Sequence, residues 1–351
     1  LPKSGSILVG IALTTGMLLA ACGSSGSSVA SSSTTNAVPT STTSTTSATI
    51  GTFPLTGLPA TKADASKLNR PALMVKIDNA PQAWPQSGIN QADLVYEEVV
   101  EGGITRYMAV FQSQNAPSVG PIRSVRGTDV ALAAQTTGLL AYSGGIPTFV
   151  SEVRATGIVD VGAMVAGSAY TRDYSRAEPH NLYSSTKALY GAANGRGVPA
   201  KPLFQYGSAH LKIPGATIRN KSITIAMSGV TTDTWTYHRS GSDWTKSING
   251  TNVVDTTGAP ISATNLIIEF IPYANTGFVD PAGNPVPEGM IVGNGNAEIA
   301  IGGYVGAATW AKSSNVSPTN YSYSSGTPVK LRPGRTWVIF APIGASFTTT
   351  Q

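Results

Sequence analysis

Apolar residues are unevenly distributed along this chain of 351 residues. A first run, Ile7 to Leu19, is broken by Thr14, Thr15 and Gly16. It is shorter than the ~20 apolar residues a bilayer-spanning helix needs, and it suits the hydrophobic stretch of a secretory leader. From Gly23 to about Ile50 the pattern disappears into Ser and Thr, with Val29, Val38 and Ile50 the only large apolar residues. Such a segment cannot bury enough surface to offset its chain entropy, so residues 23–50 read as a flexible tether with a reach of roughly 30 Å.

The pattern returns in the body. Leu73 to Asp78 and Leu94 to Val100 are compact runs that predict buried strands, and Glu101-Gly102-Gly103 turns the second into Thr105 to Gln112 as a hairpin. Ser124 to Thr137 has helical spacing, with Ser124 a candidate N-cap. Leu139 to Tyr142 reads as a short strand, and Pro147 to Ala155 and Ser184 to Asn194 as helices. After residue 215 the spacing changes to alternation: Ser222 to Met227, Thr234 to His238, Leu266 to Ile271, Glu298 to Ile301, Ala307 to Trp310 and Thr336 to Phe340. Turn clusters such as Asp280 to Asn284 separate these runs. The expected class is α+β. An N-terminal α/β domain with a mixed sheet, 51–205, precedes a smaller, mostly-β domain, 206–351, in one continuous folded unit.

Composition sharpens this picture. Charged residues make up 12% of the chain, about half of the ~25% usual in soluble domains. With 38 Gly and 23 Pro, the chain is turn-rich and excludes a long coiled coil. The single cysteine, Cys22, excludes an internal disulfide framework and a cysteine-based zinc site. It closes Leu19-Ala20-Ala21-Cys22, followed by Gly23, at the end of the apolar run. That is the pattern of a bacterial lipobox, in which small residues admit the signal peptidase and the thiol receives diacylglycerol. Residues 1–22 then form a lipoprotein signal peptide. Cys22 becomes the membrane anchor, and the body stands on the extracytoplasmic face of the cell membrane. Two or three acyl chains suffice for stable anchoring. Loss of Lys3 with the leader lowers the formal charge from +5 by one. No Lys/Arg run occurs, so a nucleic-acid footprint is missing.

Several segments resemble the YerB-like bacterial lipoproteins, a two-domain family known only as a domain of unknown function. They are Arg70-Pro71-Ala72-Leu73-Met74-Val75-Lys76-Ile77-Asp78-Asn79 with Pro85-Gln86-Ser87-Gly88, and Ala92 to Glu97 leading into Glu101-Gly102-Gly103-Ile104-Thr105-Arg106. Gly120-Pro121-Ile122-Arg123-Ser124-Val125-Arg126, Pro179-His180-Asn181-Leu182-Tyr183 and Leu331 to Trp337 follow in order. The resemblance spans residues 54 to 343. It implies an N-terminal α/β part and a smaller C-terminal part, and it implies no established enzymatic activity.

Candidate chemistry centres on the arginines. Arg123 and Arg126 are three apart where a helix is expected to begin, and Arg106 follows the hairpin turn. Guanidinium groups beside free N–H groups favour phosphate or carboxylate. Arg172 and Arg176 lead into His180. Convergence of Arg106, Arg123, Arg126 and His180 on a polar cleft would make them the ligand-binding residues. The alternative is structural, with arginines paired to Glu97, Glu98, Glu101 or Asp129. Asp93, Glu97 and Glu101 would share one strand face and could serve as an acid and base on a glycan, or equally as cross-strand ion pairs.

Ser143-Gly144-Gly145 lacks the glycine two residues before the serine that a nucleophile elbow requires. The three histidines, His180, His210 and His238, show no metal-ligand spacing. Asp280, Asn284 and Glu288 fit a turn better than a calcium loop. Neither a metal nor a cofactor is expected. Trp235, Tyr237, Trp244, Trp310, Tyr321, Tyr323 and Trp337 could stack on sugars or fill a core. The expected function is binding of an anionic or polar envelope ligand, or of an envelope protein. Two alternatives stay open: an enzyme acting on cell-wall glycan or a phosphorylated envelope precursor, and a structural docking partner of a membrane complex.

Overall fold

The computed structural model describes residues 48–351. The leader, Cys22 and residues 23–47 of the expected tether lie outside the described residues. The ordered body begins slightly before residue 51, because Thr49–Thr52 pairs antiparallel with Pro59–Thr61.

In chain order the main elements are β1 (Leu73–Asp78), β2 (Leu94–Val99), β3 (Thr105–Phe111), α1 (Thr128–Thr136), β4 (Leu139–Ala141), α2 (Pro147–Ala155), β5 (Val159–Asp160) and α3 (Thr186–Ala193). There follow β6 (Ser222–Ala226), β7 (Thr232–His238), β8 (Asp243–Ile248), β9 (Asn265–Ile271), β10 (Tyr273–Val279) and β11 (Pro285–Gly289). The chain continues through β12 (Gly293–Ile301), β13 (Tyr304–Lys312), β14 (Asn320–Tyr323), β15 (Thr336–Pro342) and β16 (Phe347–Thr350).

Ten strands form one mixed sheet in the order β14-β13-β12-β9-β15-β2-β3-β1-β4-β5. Both halves of the chain contribute five strands to it, and they join where β15 pairs in parallel with β2, Val338 opposite Tyr96. Strands β1 and β2 are buried along their whole length, as expected for strands covered on both faces. Leu73, Val75, Ile77, Val95 and Tyr107 face one core with α3 and the second sheet. Met74, Leu94, Tyr96 and Met108 face a second core with α1 and α2. The second sheet runs β8-β7-β6-β16, with residues 251–252 and 262–263 added at β8.

The aromatics belong to this packing. Trp235, Trp244, Trp310 and Trp337 are at most 1% exposed, which removes them as a sugar platform. The Trp337 ring packs on Tyr107 and Trp235, with centroids 5.1 Å away in each case. Between the sheets, Lys246 Nζ donates to Glu97 Oε2 at 2.8 Å and to Asp233. The Trp337 indole donates to the same Glu97 oxygen at 2.9 Å. Burial, followed by repulsion from Glu97, pushes the Asp233 carboxyl upward against the pull of Lys246.

Candidate functional site

The site lies at the C-terminal ends of the parallel strands β1 and β4, the edge where open α/β sheets place their ligand crevices. An irregular segment, 121–125, wedges between the two strand ends. Asp78 N–H donates to Pro121 O at 2.9 Å and Arg123 N–H to Lys76 O at 2.8 Å. On the other side Ser143 N–H donates to Arg123 O and Val125 N–H to Gly144 O, each at 3.0 Å. Extended pairing therefore replaces the helical start expected at Ser124; α1 begins at Thr128. Gly145 permits the fit, since a Cβ there would meet Val125 Cγ2 at 2.8 Å.

This arrangement brings together all four of the expected ligand-binding residues. Asp78, fully buried at the end of β1, is the hub. Its Oδ2 lies 2.7 Å from His180 Nδ1 and 2.9 Å from Arg123 Nε, and its Oδ1 accepts Ala80 N–H at 3.1 Å. The Arg123 contact is an ion pair without hydrogen-bond alignment, leaving that N–H unsatisfied. Arg126 clasps Glu101 with two nitrogens, Nε to Oε2 at 2.9 Å, and also donates to Val125 O at 2.8 Å. Burial opposes ionisation of Glu101. The Arg126 hydrogen bond and the charges of Arg106 and Arg126 outweigh that effect and hold the carboxyl below its ordinary range.

Arg106 differs from its neighbours. It is 5% exposed, its nearest carboxylate oxygen is Glu101 Oε2 at 3.8 Å, and its Nε has no partner. Burial and then repulsion from Arg126, with Arg123 adding to it, pull its ionisation down to about 10. It remains charged at neutral pH. The side chains of Arg123 and His180, 20% and 15% exposed, form the open rim.

The carboxylates considered for catalysis do not gather. Asp93 accepts the Gln112 and Ser113 N–H groups at 2.6 Å each, and burial pushes its carboxyl up. Glu97 faces the interlayer lysine, Glu98 pairs with Lys76 beside Asp129, and only Glu101 reaches the arginines. Ser143 Oγ approaches Ser124 Oγ at 3.5 Å, and His180 is engaged by Asp78. Asp280 accepts the Ala282 and Asn284 N–H groups, closing the turn between β10 and β11. Among the described residues no group of three His, Cys, Asp or Glu side chains could hold a metal ion. Arg172 and Arg176 stand apart, bound to Asn181 and to the carbonyls of Ala83 and Pro85. Sequence reasoning missed Asp78 as a site residue. Its signal was its place as the last residue of a buried strand.

These features define an α+β protein of two fused halves with three arginines and a histidine gathered around Asp78 and Glu101 at one sheet edge. The chain belongs to the family described as a protein of unknown function, DUF3048, matching its N-terminal domain over residues 55–199 and its C-terminal domain over 223–338. It is 29% identical over 307 residues to "Putative lipoprotein YerB" of Bacillus subtilis (strain 168), covering 82% of this chain and 86% of that protein. The crystal structure of YerB from Bacillus subtilis matches with a TM-score of 0.72 at 25% identity, over 85% of this chain and 99% of that one. No described helix is long and apolar enough to cross a membrane.

Proposed function

We propose that this protein is a lipoprotein of the extracytoplasmic membrane face whose body holds an anionic envelope ligand against Arg106, Arg123, Arg126 and His180. The supporting observation is Arg106, a buried guanidinium that shares Glu101 with Arg126, at 3.8 Å, and leaves its Nε without a partner. A buried ion costs several kcal/mol unless it is well paired, and an anion entering past Arg123 and His180 would supply the pairing that the shared, distant Glu101 gives only in part. Arg126 is saturated by Glu101, so it acts through its field. The planar guanidinium fork suits phosphate or carboxylate.

The test is calorimetry on the full chain in mild detergent, with inorganic phosphate and pyrophosphate. Arg123→Ala should weaken binding at least about tenfold, equivalent to ~1.4 kcal/mol, while the variant stays folded. Absence of binding, with early melting of Arg123→Ala, would make the arginines scaffold.

Anchoring through an acylated Cys22, with 23–50 as tether, agrees with the lipoprotein name of the Bacillus relative. Cys22→Ser should move the protein from the membrane to the soluble fraction.

The enzyme reading retains one observation in its favour. Buried Asp78 engages His180 Nδ1, which leaves Nε2 as the nitrogen able to take a proton. Turnover of a phosphorylated precursor that disappears in His180→Gln would establish it.

A further inference from the structure

The two segments that deliver Arg123 and His180 also build a neighbouring concavity. They are bonded side by side, Ile122 N–H to Leu182 O at 2.7 Å and Val119 N–H to Ser184 O at 2.8 Å. Beyond the cationic cluster they border an open concavity of about 250 Å³, lined by the hydroxyl residues Ser118, Thr171 and Tyr183 together with Arg172, Asp173 and Arg176. Ser87 and Thr256 complete the wall and satisfy each other across 3.1 Å.

The charged groups of this wall are already committed. Arg172 donates to Asn181 Oδ1 at 2.7 Å and pairs with Glu178 at 3.2 Å. Arg176 donates to two carbonyls and lies 6.0 Å from the Tyr183 ring centroid. Asp173 accepts from Ser175. Tyr183 is the exception. It is 8% exposed, and its hydroxyl has no hydrogen-bond partner. Buried hydroxyls are nearly always partnered, so this one lacks a group that the folded chain does not supply.

The concavity is also close to the arginines. The Tyr183 ring lies on Gly120, where a Cβ would meet it at 2.7 Å. Gly120 is three residues from Arg123, at most roughly 10 Å along an extended chain.

We propose that this concavity is the polyol subsite of the same ligand, receiving a sugar unit attached to the anionic group held at the arginines, with Tyr183 bonding a sugar hydroxyl. The cavity accommodates one ring and offers hydroxyls that both donate and accept, the chemistry a polyol requires. The inference rests on the anion-binding reading above.

The experiment compares inorganic phosphate, glucose 6-phosphate and glucose by calorimetry on the full chain in detergent, beside Tyr183→Phe. That variant keeps the ring packed on Gly120 and removes a hydroxyl that bonds nothing in the protein, so its fold is preserved. Glucose 6-phosphate should bind about tenfold tighter than phosphate, and the ratio should fall toward one in Tyr183→Phe. Equal affinities in the native protein, or a ratio untouched by the substitution, would overturn the polyol subsite and leave the anion site standing. Failure of both phosphate and glucose 6-phosphate to bind would overturn the anion reading and this one with it.

Discussion

Arg106 and Glu269 show how burial gives single residues their meaning. Arg106 lies among Arg123 and Arg126, with Glu101 already held by Arg126. Replacing it by methionine removes an ion lacking its own counter-charge while keeping an apolar stem. Burying an ion costs several kcal/mol that only good pairing repays, and Glu101 keeps its closer partner Arg126 when Arg106 is gone. Arg106→Met should therefore raise the denaturant midpoint and abolish phosphate binding, whereas a purely structural arginine would lower the midpoint. Glu269 on β9 accepts the Tyr321 hydroxyl, and its second oxygen has no partner. Burial drives its ionisation from an ordinary 4.5 up to about 7. Between those values the folded state binds the proton and the unfolded state has lost it, so stability falls as pH rises. The loss is roughly 3 kcal/mol at 1.36 kcal/mol per unit, complete above pH 7. Glu269→Gln should flatten that slope in urea titrations from pH 4.5 to 8 and leave the variant more stable at pH 8. The arginines were legible in the sequence because their types and spacing suit anions. Asp78 was marked only by its place at the end of a buried strand, and nothing local pairs it with His180, more than a hundred residues away.

Whole elements followed their sequence signals closely wherever the signal was local. Strand β1 and helix α2 occupy the predicted spans, Leu73–Asp78 and Pro147–Ala155, since an apolar run and a proline at the first helical turn are self-contained instructions. The start of α1 departs from its prediction. Helical spacing is read from Ser124 onward, yet Arg123 and Val125 N–H find carbonyls on β1 and after β4, and this tertiary pairing of 121–125 overrides propensity. That segment carries Arg123, so its geometry sets the site. Gly120 occupies φ +149, and a side chain there would strike Tyr183 and the Leu182 carbonyl. Gly120→Ala should destabilise the protein by about 1–3 kcal/mol and weaken phosphate binding, read by denaturant midpoint and by calorimetry.

The whole molecule is joined through β15, which pairs with β9 on one side and β2 on the other. A fragment of residues 51–205 would expose β2 as an open edge and strip the second sheet from the core around Tyr107 and Val95. Open apolar edges associate. The fragment should aggregate or lack dispersed amide signals in NMR, and co-expression with residues 206–351 should restore them. Neighbours along the chain suffice for the apolar run that ends at Cys22, the Ser/Thr stretch, the α/β-then-β order and the arginine spacing behind the proposed anion site. Contacts across the fold set the rest: the two halves share one ten-stranded sheet, Glu97 is used by Lys246, and Arg106 is enclosed with Glu101 shared and its Nε unpartnered. Periodicity records which face of an element is buried. Strand partners, and the charge left over when buried groups have paired, depend on contacts between residues far apart in the chain.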